Sequence, residues 1–143
     1  MTILKKACKI FNHKNIHKEI FPGYPNSCCD IRYYDDYIKR GIHFPHLFGI
    51  VVARPSTIGD NCWIYPNVTI GAKTLDTGDG KTKEHYPTIG ENTVIYAGAV
   101  IVGSVKIGKN VTIGANSVVI NDVPDNAIAV GIPAKVIKIK NPV

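Results

Sequence analysis

Aliphatic residues recur every six positions along much of this chain. The step is kept by Ile89, Ile95, Ile101, Ile107, Ile113 and Val119, and earlier by Val52, Ile58, Ile64 and Ile70. Six residues of an α-helix turn through about 600°, so these side chains would point to several faces. In extended chain, six is a multiple of the two-residue period, so all of them point the same way. The step therefore predicts a parallel β-helix built from hexapeptide repeats, with the aliphatic residues as its core.

The composition restricts the class of partner. The 143 residues carry a formal net charge of +6, mostly from scattered lysines. No basic run alternates with aromatic residues, so we expect no nucleic acid partner. The charge favours an anionic ligand, such as a phosphate-bearing cofactor. Residues 1–11 contain no continuous apolar stretch, so neither a signal peptide nor a membrane span is predicted, and the expected location is cytoplasmic.

Three segments are predicted along the chain. Residues 1–29 lack the hexad and contain a turn-rich cluster, with a short helix in the first dozen residues. Residues 30–138 form the β-helix domain of about five three-sided coils, and residues 139–143 form a tail. Thirteen extra residues between Ile70 and Ile89 interrupt the hexads. Their Asp, Gly and Lys content predicts an inserted loop over residues 73–87.

Particular residue types also recur within the hexads. Glycine follows the aliphatic position at Gly90, Gly108 and Gly114. We expect these glycines to turn the corners with positive φ, which costs glycine little. Asn61, Asn92 and Asn110 lie three residues after the aliphatic position, and asparagine also tolerates such angles. Cys62 occupies a slot for small residues, which predicts a small buried thiol.

Two stretches of the chain resemble a known family. The first runs from Gly41 through Pro45-His46 to the sequence Gly49-Ile50-Val51-Val52, and the second runs from Val123-Pro124-Asp125-Asn126 to Gly131-Ile132-Pro133-Ala134-Lys135. With the hexads, they resemble the hexapeptide-repeat acyltransferases. The resemblance implies an all-β fold, a left-handed parallel β-helix. The His-x-x-Gly-Ile-Val-Val segment is most similar to the serine acetyltransferase branch.

Two departures from that branch shape the expected function. Only about thirty residues precede the helix, where serine acetyltransferases have a long helical domain, and Pro45 stands where they have an aspartate. Pro-His is more similar to members found with polysaccharide-building enzymes. We therefore predict an acetyl-CoA-dependent O-acetyltransferase acting on a hydroxyl of a sugar or glycan, as in capsule, exopolysaccharide or lipopolysaccharide building. The alternatives are serine O-acetylation in cysteine biosynthesis and N-acetylation of an amino sugar or nucleotide sugar.

The resemblance also implies the catalytic residues. A hydroxyl is a weak nucleophile at neutral pH, and histidine is well suited to remove its proton. His46 is the candidate base, and Asp30 is the candidate carboxylate that orients it, with Asp35 and Asp36 as competitors. The family's aspartate lies fifteen residues before the histidine, whereas Asp30 lies sixteen before His46. His85, at the end of the insertion, is the candidate second active-site histidine.

The expected donor is acetyl-CoA, transferred directly without an acyl-enzyme. By resemblance, its arm lies against small residues on the outside of the helix, namely Gly71, Ala72, Ala97, Gly98 and Ala115. A backbone N–H near Gly71 or Ala72 would stabilise the oxyanion. Lys135 would meet a phosphate of CoA. The resemblance further implies a homotrimer with active sites between subunits.

Two rival functional interpretations of the same fold remain. A γ-type carbonic anhydrase needs a histidine pair five residues apart, and this chain has no such pair. His13 and His17 have helical metal-ligand spacing, but nothing nearby completes a site, so we expect no metal. A β-helix used only for assembly would not bind CoA.

Overall fold

The computed structural model of the protein describes residues 30–31, 34–76 and 82–141. The predicted N-terminal segment, residues 1–29, lies outside the described residues. The elements are β1 (Asp30–Ile31), α1 (Tyr34–Lys39), β2 (Val51–Val52), β3 (Thr57–Ile58), β4 (Trp63–Ile64), β5 (Thr69–Gly71), β6 (Lys73–Asp76), β7 (Thr82–His85), β8 (Thr88–Ile89), β9 (Val94–Ile95), β10 (Val100–Val102), β11 (Lys106–Ile107), β12 (Thr112–Ile113), β13 (Val118–Val119), β14 (Ala127–Gly131) and β15 (Ala134–Ile139).

The strands form three parallel faces that the chain visits in rotation. The first face has the order β1-β2-β5-β10-β13, the second has β3-β8-β11, and the third has β4-β9-β12-β14 with β15 at its edge. Each strand pairs in parallel with the strand one coil away, as in the register Ile64↔Ile95. β15 alone departs from this pattern on the third face, because it runs antiparallel to β14. The predicted parallel β-helix of hexapeptide coils is confirmed.

The aliphatic residues at the six-residue step form the core. All ten are buried, with exposed fractions between 0% and 4%. Alternate residues on each short strand point in and out, so each coil contributes one inward aliphatic per face, stacked on those of adjacent coils. Cys62 is also fully buried among them, and its thiol donates to the carbonyl oxygen of Gly90 at 3.3 Å. Burial raises the pKa of the Cys62 thiol.

The corners are turned by asparagine rather than by the glycines we expected. Asn61, Asn92 and Asn110 have φ of 57°, 57° and 55°, which confirms the expectation for asparagine. The expectation of positive φ at Gly90, Gly108 and Gly114 was wrong, since these glycines do not have it. Gly90 is required by close approach instead, because a Cβ there would lie 2.6 Å from the carbonyl carbon of Gly108.

The first coil is irregular because α1 stands between β1 and the third face. Arg40, just after this helix, attaches it to the coil below. Its Nε donates to Asp60 Oδ1 at 2.7 Å, and its guanidinium also donates to the carbonyl oxygen of Ile58. Tyr37 of α1 is 5% exposed and packs on the core.

The insertion expected to be a loop contains a short hairpin. β6 and β7 pair antiparallel in the register Lys73↔His85 and Thr74↔Glu84. The hairpin leaves the helix where the first face meets the second, directly after β5. Within the described part of the chain, no helix is long and apolar enough to span a bilayer.

Candidate active site

His46 lies in a widened corner where the third face meets the first. Before this corner, His43 pairs with Trp63, twenty residues on, and after it Val51 pairs with Thr69, eighteen residues on. The first coil therefore has two more residues at this corner than the coil below. Phe44 packs against the core, and the extra length leaves His46 exposed on the outside. Strict hexad counting from Ile58 would have pointed His46 inward.

Asp30 lies on the strand that borders β2. The register pairs Asp30 with Val51, five residues after His46, so its backbone belongs to the face that the His46 corner leads into. Of the competing carboxylates, Asp36 of α1 is exposed and lies 3.8 Å from the guanidinium of Arg40, just after the helix. The register thus places the backbone of Asp30, and not that of Asp36, on the first face.

His85 ends β7 and is half-buried at the base of the hairpin. The hydroxyl of Tyr86 donates a hydrogen bond to Glu84, and this bond raises the pKa of Tyr86. Pro87 is buried, and its carbonyl oxygen accepts from Thr57 N at 3.1 Å. The base of the hairpin is thus attached to the second face, which fixes the position of His85 relative to the β-helix.

Three of the candidate cofactor-binding residues lie below His46 on its own corner. The register Ile95↔Ile113 places Ala97 beside Ala115, and Asn116 N donates to the carbonyl oxygen of Ala97 at 2.9 Å. Gly98 has φ 72°, so a side chain there would be strained. Lys135 is exposed on β15, opposite Val130, at the far end of this corner. Five strand spacings separate the level of His43 from β15, or about 24 Å.

The remaining two candidates lie at the other edge of the first face. Gly71, the last residue of β5, and Ala72, which joins it to the hairpin that carries His85, are half-buried. A Cβ on Gly71 would meet its nearest atom at 3.8 Å, so packing alone does not require glycine there. One chain therefore presents His46 at one edge of the first face and His85 at the opposite edge.

Two aromatic pairs near His46 were not singled out from the sequence. Tyr65 and Tyr96 stack with ring centroids 5.1 Å apart, and His43 stacks on Trp63 at 4.6 Å. A tyrosine directly after the inward isoleucine in two successive coils was a signal that could have found the first pair. Among the residues described, no three His, Cys, Asp or Glu side chains are grouped as metal ligands would be.

Comparison with known proteins identifies the relatives of this fold. The family model described as bacterial transferase hexapeptide (six repeats) matches residues 86–121. Residues 86–121 thus carry the hexapeptide repeats that this transferase family model describes. A serine acetyltransferase from Synechococcus elongatus is 45% identical over 100 residues, which are 70% of this chain and 39% of that protein. This hexapeptide-repeat chain therefore has serine acetyltransferases as homologues.

Solved structures agree with this kinship. The serine acetyltransferase of Neisseria gonorrhoeae matches with a TM-score of 0.64 at 36% identity, covering 72% of this chain and 38% of that one. A serine acetyltransferase in complex with CoA matches with a TM-score of 0.58 at 41% identity, covering 67% and 37%. The fold is thus the expected left-handed parallel β-helix. The chain spans less than half the length of these relatives.

The predicted sugar or glycan acceptor was wrong. It rested on Pro45 and on the small number of residues before the helix, whereas the similar proteins are serine acetyltransferases. The closest-branch assignment to polysaccharide-building enzymes has no support in these relatives either. The difference at Pro45 is outweighed by the 45% identity over 100 residues with a serine acetyltransferase.

Proposed function

We propose that this protein transfers the acetyl group of acetyl-CoA to the hydroxyl of serine. The observation that carries the proposal is the exposed His46, in a corner segment of a chain 45% identical to serine acetyltransferases over 100 residues. The similar structure with CoA supports the same donor and the acyltransferase class. The location proposed with this activity is the cytoplasm.

In the proposed reaction His46 is the general base. It removes the proton of the serine hydroxyl as that oxygen attacks the thioester carbonyl carbon of acetyl-CoA. The tetrahedral intermediate collapses by breaking the carbon–sulfur bond, and the CoA thiolate takes the proton back from His46. Asp30 would hold the imidazole by accepting from its other ring nitrogen. No acyl-enzyme forms.

The position of the two histidines supports a shared site. His46 and His85 occupy opposite edges of the first face, so one chain does not bring them together. In a homotrimer, the His46 edge of one subunit would meet the His85 edge of its neighbour. Acetyl-CoA would lie in the same cleft, along Ala97, Gly98 and Ala115.

The two ends of acetyl-CoA are assigned to residues in the same cleft. Lys135 would pair with a phosphate of CoA at the lower end of the corner. Backbone N–H groups at Gly71 or Ala72 of the neighbouring subunit would donate to the oxyanion, and one such donor can lower the barrier by about 2.7–4 kcal/mol.

Release of free CoA from acetyl-CoA tests the proposal. We expect turnover with L-serine, and loss of at least 100-fold in kcat for His46→Ala. His43→Ala is the matched control, since this histidine lies three residues away on the third face and stacks on Trp63. Acetyl transfer to sugars or amino sugars without transfer to serine would overturn the acceptor. Full activity of His46→Ala would overturn the base.

A further inference from the structure

The hairpin of the insertion separates its charges onto two sides. Residues directly opposite in an antiparallel pair have side chains on the same side, and neighbours along a strand alternate. Lys73 and His85 are opposite each other, so they share one side with Lys83. Glu84 and Thr74 lie on the other side. The described side chains on the His85 side are therefore basic.

The nearby carboxylate does not neutralise this side. Glu84 accepts the hydrogen bond from the hydroxyl of Tyr86, on the opposite side of the strand from His85. Within the described ranges, no ion pair joins Lys73 to a carboxylate. Lys73 is exposed, so its ammonium group is available to an anion beside His85.

The base of the Lys73 side chain lies close to the next coil. Lys73 follows β5 by two residues and sits over the coil below. Gly103 there is buried and has φ 93°, and a Cβ added to it would lie 3.4 Å from Lys73 Cβ. Cross-strand partners have Cβ atoms about 4.5–5.5 Å apart, so the four-carbon stem of Lys73 is long enough to bring its ammonium group beside the imidazole of His85.

We propose that Lys73 binds the carboxylate of the serine acceptor and so determines the specificity for an amino acid. This inference rests on the proposed function. Free serine carries a carboxylate that must be paired when water is displaced from it. The donor's phosphates are assigned to Lys135, at the other edge of the first face, so Lys73 is left for the acceptor. Pro45 beside His46 offers no charge to hold the amino acid.

Steady-state kinetics with two acceptors test the proposal. Ethanolamine has the hydroxyl and the ammonium group of serine but no carboxylate. We expect Lys73→Ala to raise KM for serine by roughly 10- to 100-fold, the range for losing a charge-assisted hydrogen bond. KM for ethanolamine and for acetyl-CoA should not change. Lys73→Arg should restore the serine value, because the guanidinium also pairs with carboxylates.

Lys83→Ala is the matched control. It removes the same charge from the same side of the hairpin, two residues further from His85, and should leave KM for serine within about twofold. Equal losses with serine and ethanolamine, or a rise only in KM for acetyl-CoA, would overturn the assignment of Lys73.

Calorimetric titration with serine separates this inference from the proposed function. Turnover of serine that does not depend on Lys73 leaves the function standing and removes the inference. If serine binds but is not turned over, and Lys73→Ala weakens its binding, the inference is supported and the proposed function is overturned. Serine that neither binds nor reacts overturns both.

Discussion

Asn67 lies directly beneath Gly49, and its side-chain oxygen occupies the space that a Cβ on Gly49 would need. Gly49 has φ 64°, a conformation that costs an alanine about 1–2 kcal/mol. Gly49 ends the widened corner that carries His46. The conformation of this corner and the placement of the candidate base therefore both depend on Gly49.

Gly49→Ala should therefore lower both stability and activity. We expect a loss of about 1–3 kcal/mol in the free energy of unfolding, from strain and from displacement of Asn67. Gly71→Ala is the control for stability, because a Cβ there meets no atom closer than 3.8 Å. Urea denaturation measures both variants. Equal stability of the Gly49 variant and the wild type would contradict the corner geometry.

Mixing two inactive variants tests the shared site. If His46 and His85 act from different subunits, His46→Ala and His85→Ala should each lose most activity, and co-expression should restore part of it. The restored sites are those that pair an intact His46 edge with an intact His85 edge. Light scattering should give the mass of a trimer. No recovery in verified mixed trimers would mean that both histidines act within one chain.

Arg40→Ala should weaken the attachment of α1 to the β-helix. The variant loses the 2.7 Å contact with Asp60 and the bond to the carbonyl oxygen of Ile58. Arg40 is only 34% exposed, so we expect a loss of about 1–2 kcal/mol. Lys39→Ala, at the exposed end of the same helix, should change stability by less than about 0.5 kcal/mol. Thermal unfolding measures both, and equal losses would contradict this attachment.

The buried thiol predicts a pH dependence of stability. Burial raises the pKa of Cys62, so the folded state keeps this proton at pH values where the unfolded chain has lost it. At neutral pH the thiol is protonated in both the folded and the unfolded chain, so its titration does not change the free energy of unfolding. As the pH rises above the usual pKa of a thiol, the unfolded chain loses the proton first and the free energy of unfolding falls. Cys62→Ala should remove this part of the alkaline decline, although it also leaves a small cavity. Parallel pH profiles for the variant and the wild type would show that the thiol does not titrate in this way.

The core was predictable because its signal is local and repeated. Ile95 and Ile113 occupy the inward position for the same reason, and the six-residue step is visible without any structure. The orientation of His46 was not predictable in this way. It depends on two extra residues, which appear only when the pairing of His43 with Trp63 is compared with that of Val51 with Thr69.

The hairpin and the corner glycines show two other limits of sequence reasoning. β6 and β7 have the composition of a loop, and only their pairing with each other makes them strands. Gly90 was assigned to positive φ because glycine permits it, but the decisive contact is with Gly108, eighteen residues away. The pairing of Lys73 with His85 is likewise a matter of register and not of composition.

The antiparallel β15 has a consequence for how these molecules behave at high concentration. Parallel strands stacked along an axis would accept a further parallel strand at an open end, which is how chains join into fibres. On the third face, β15 already occupies the free edge of β14 and reverses its direction. It also carries the exposed Lys135 and Lys138. On that face the edge strand is therefore a reversed, lysine-bearing one, which disfavours end-to-end addition of a further parallel coil.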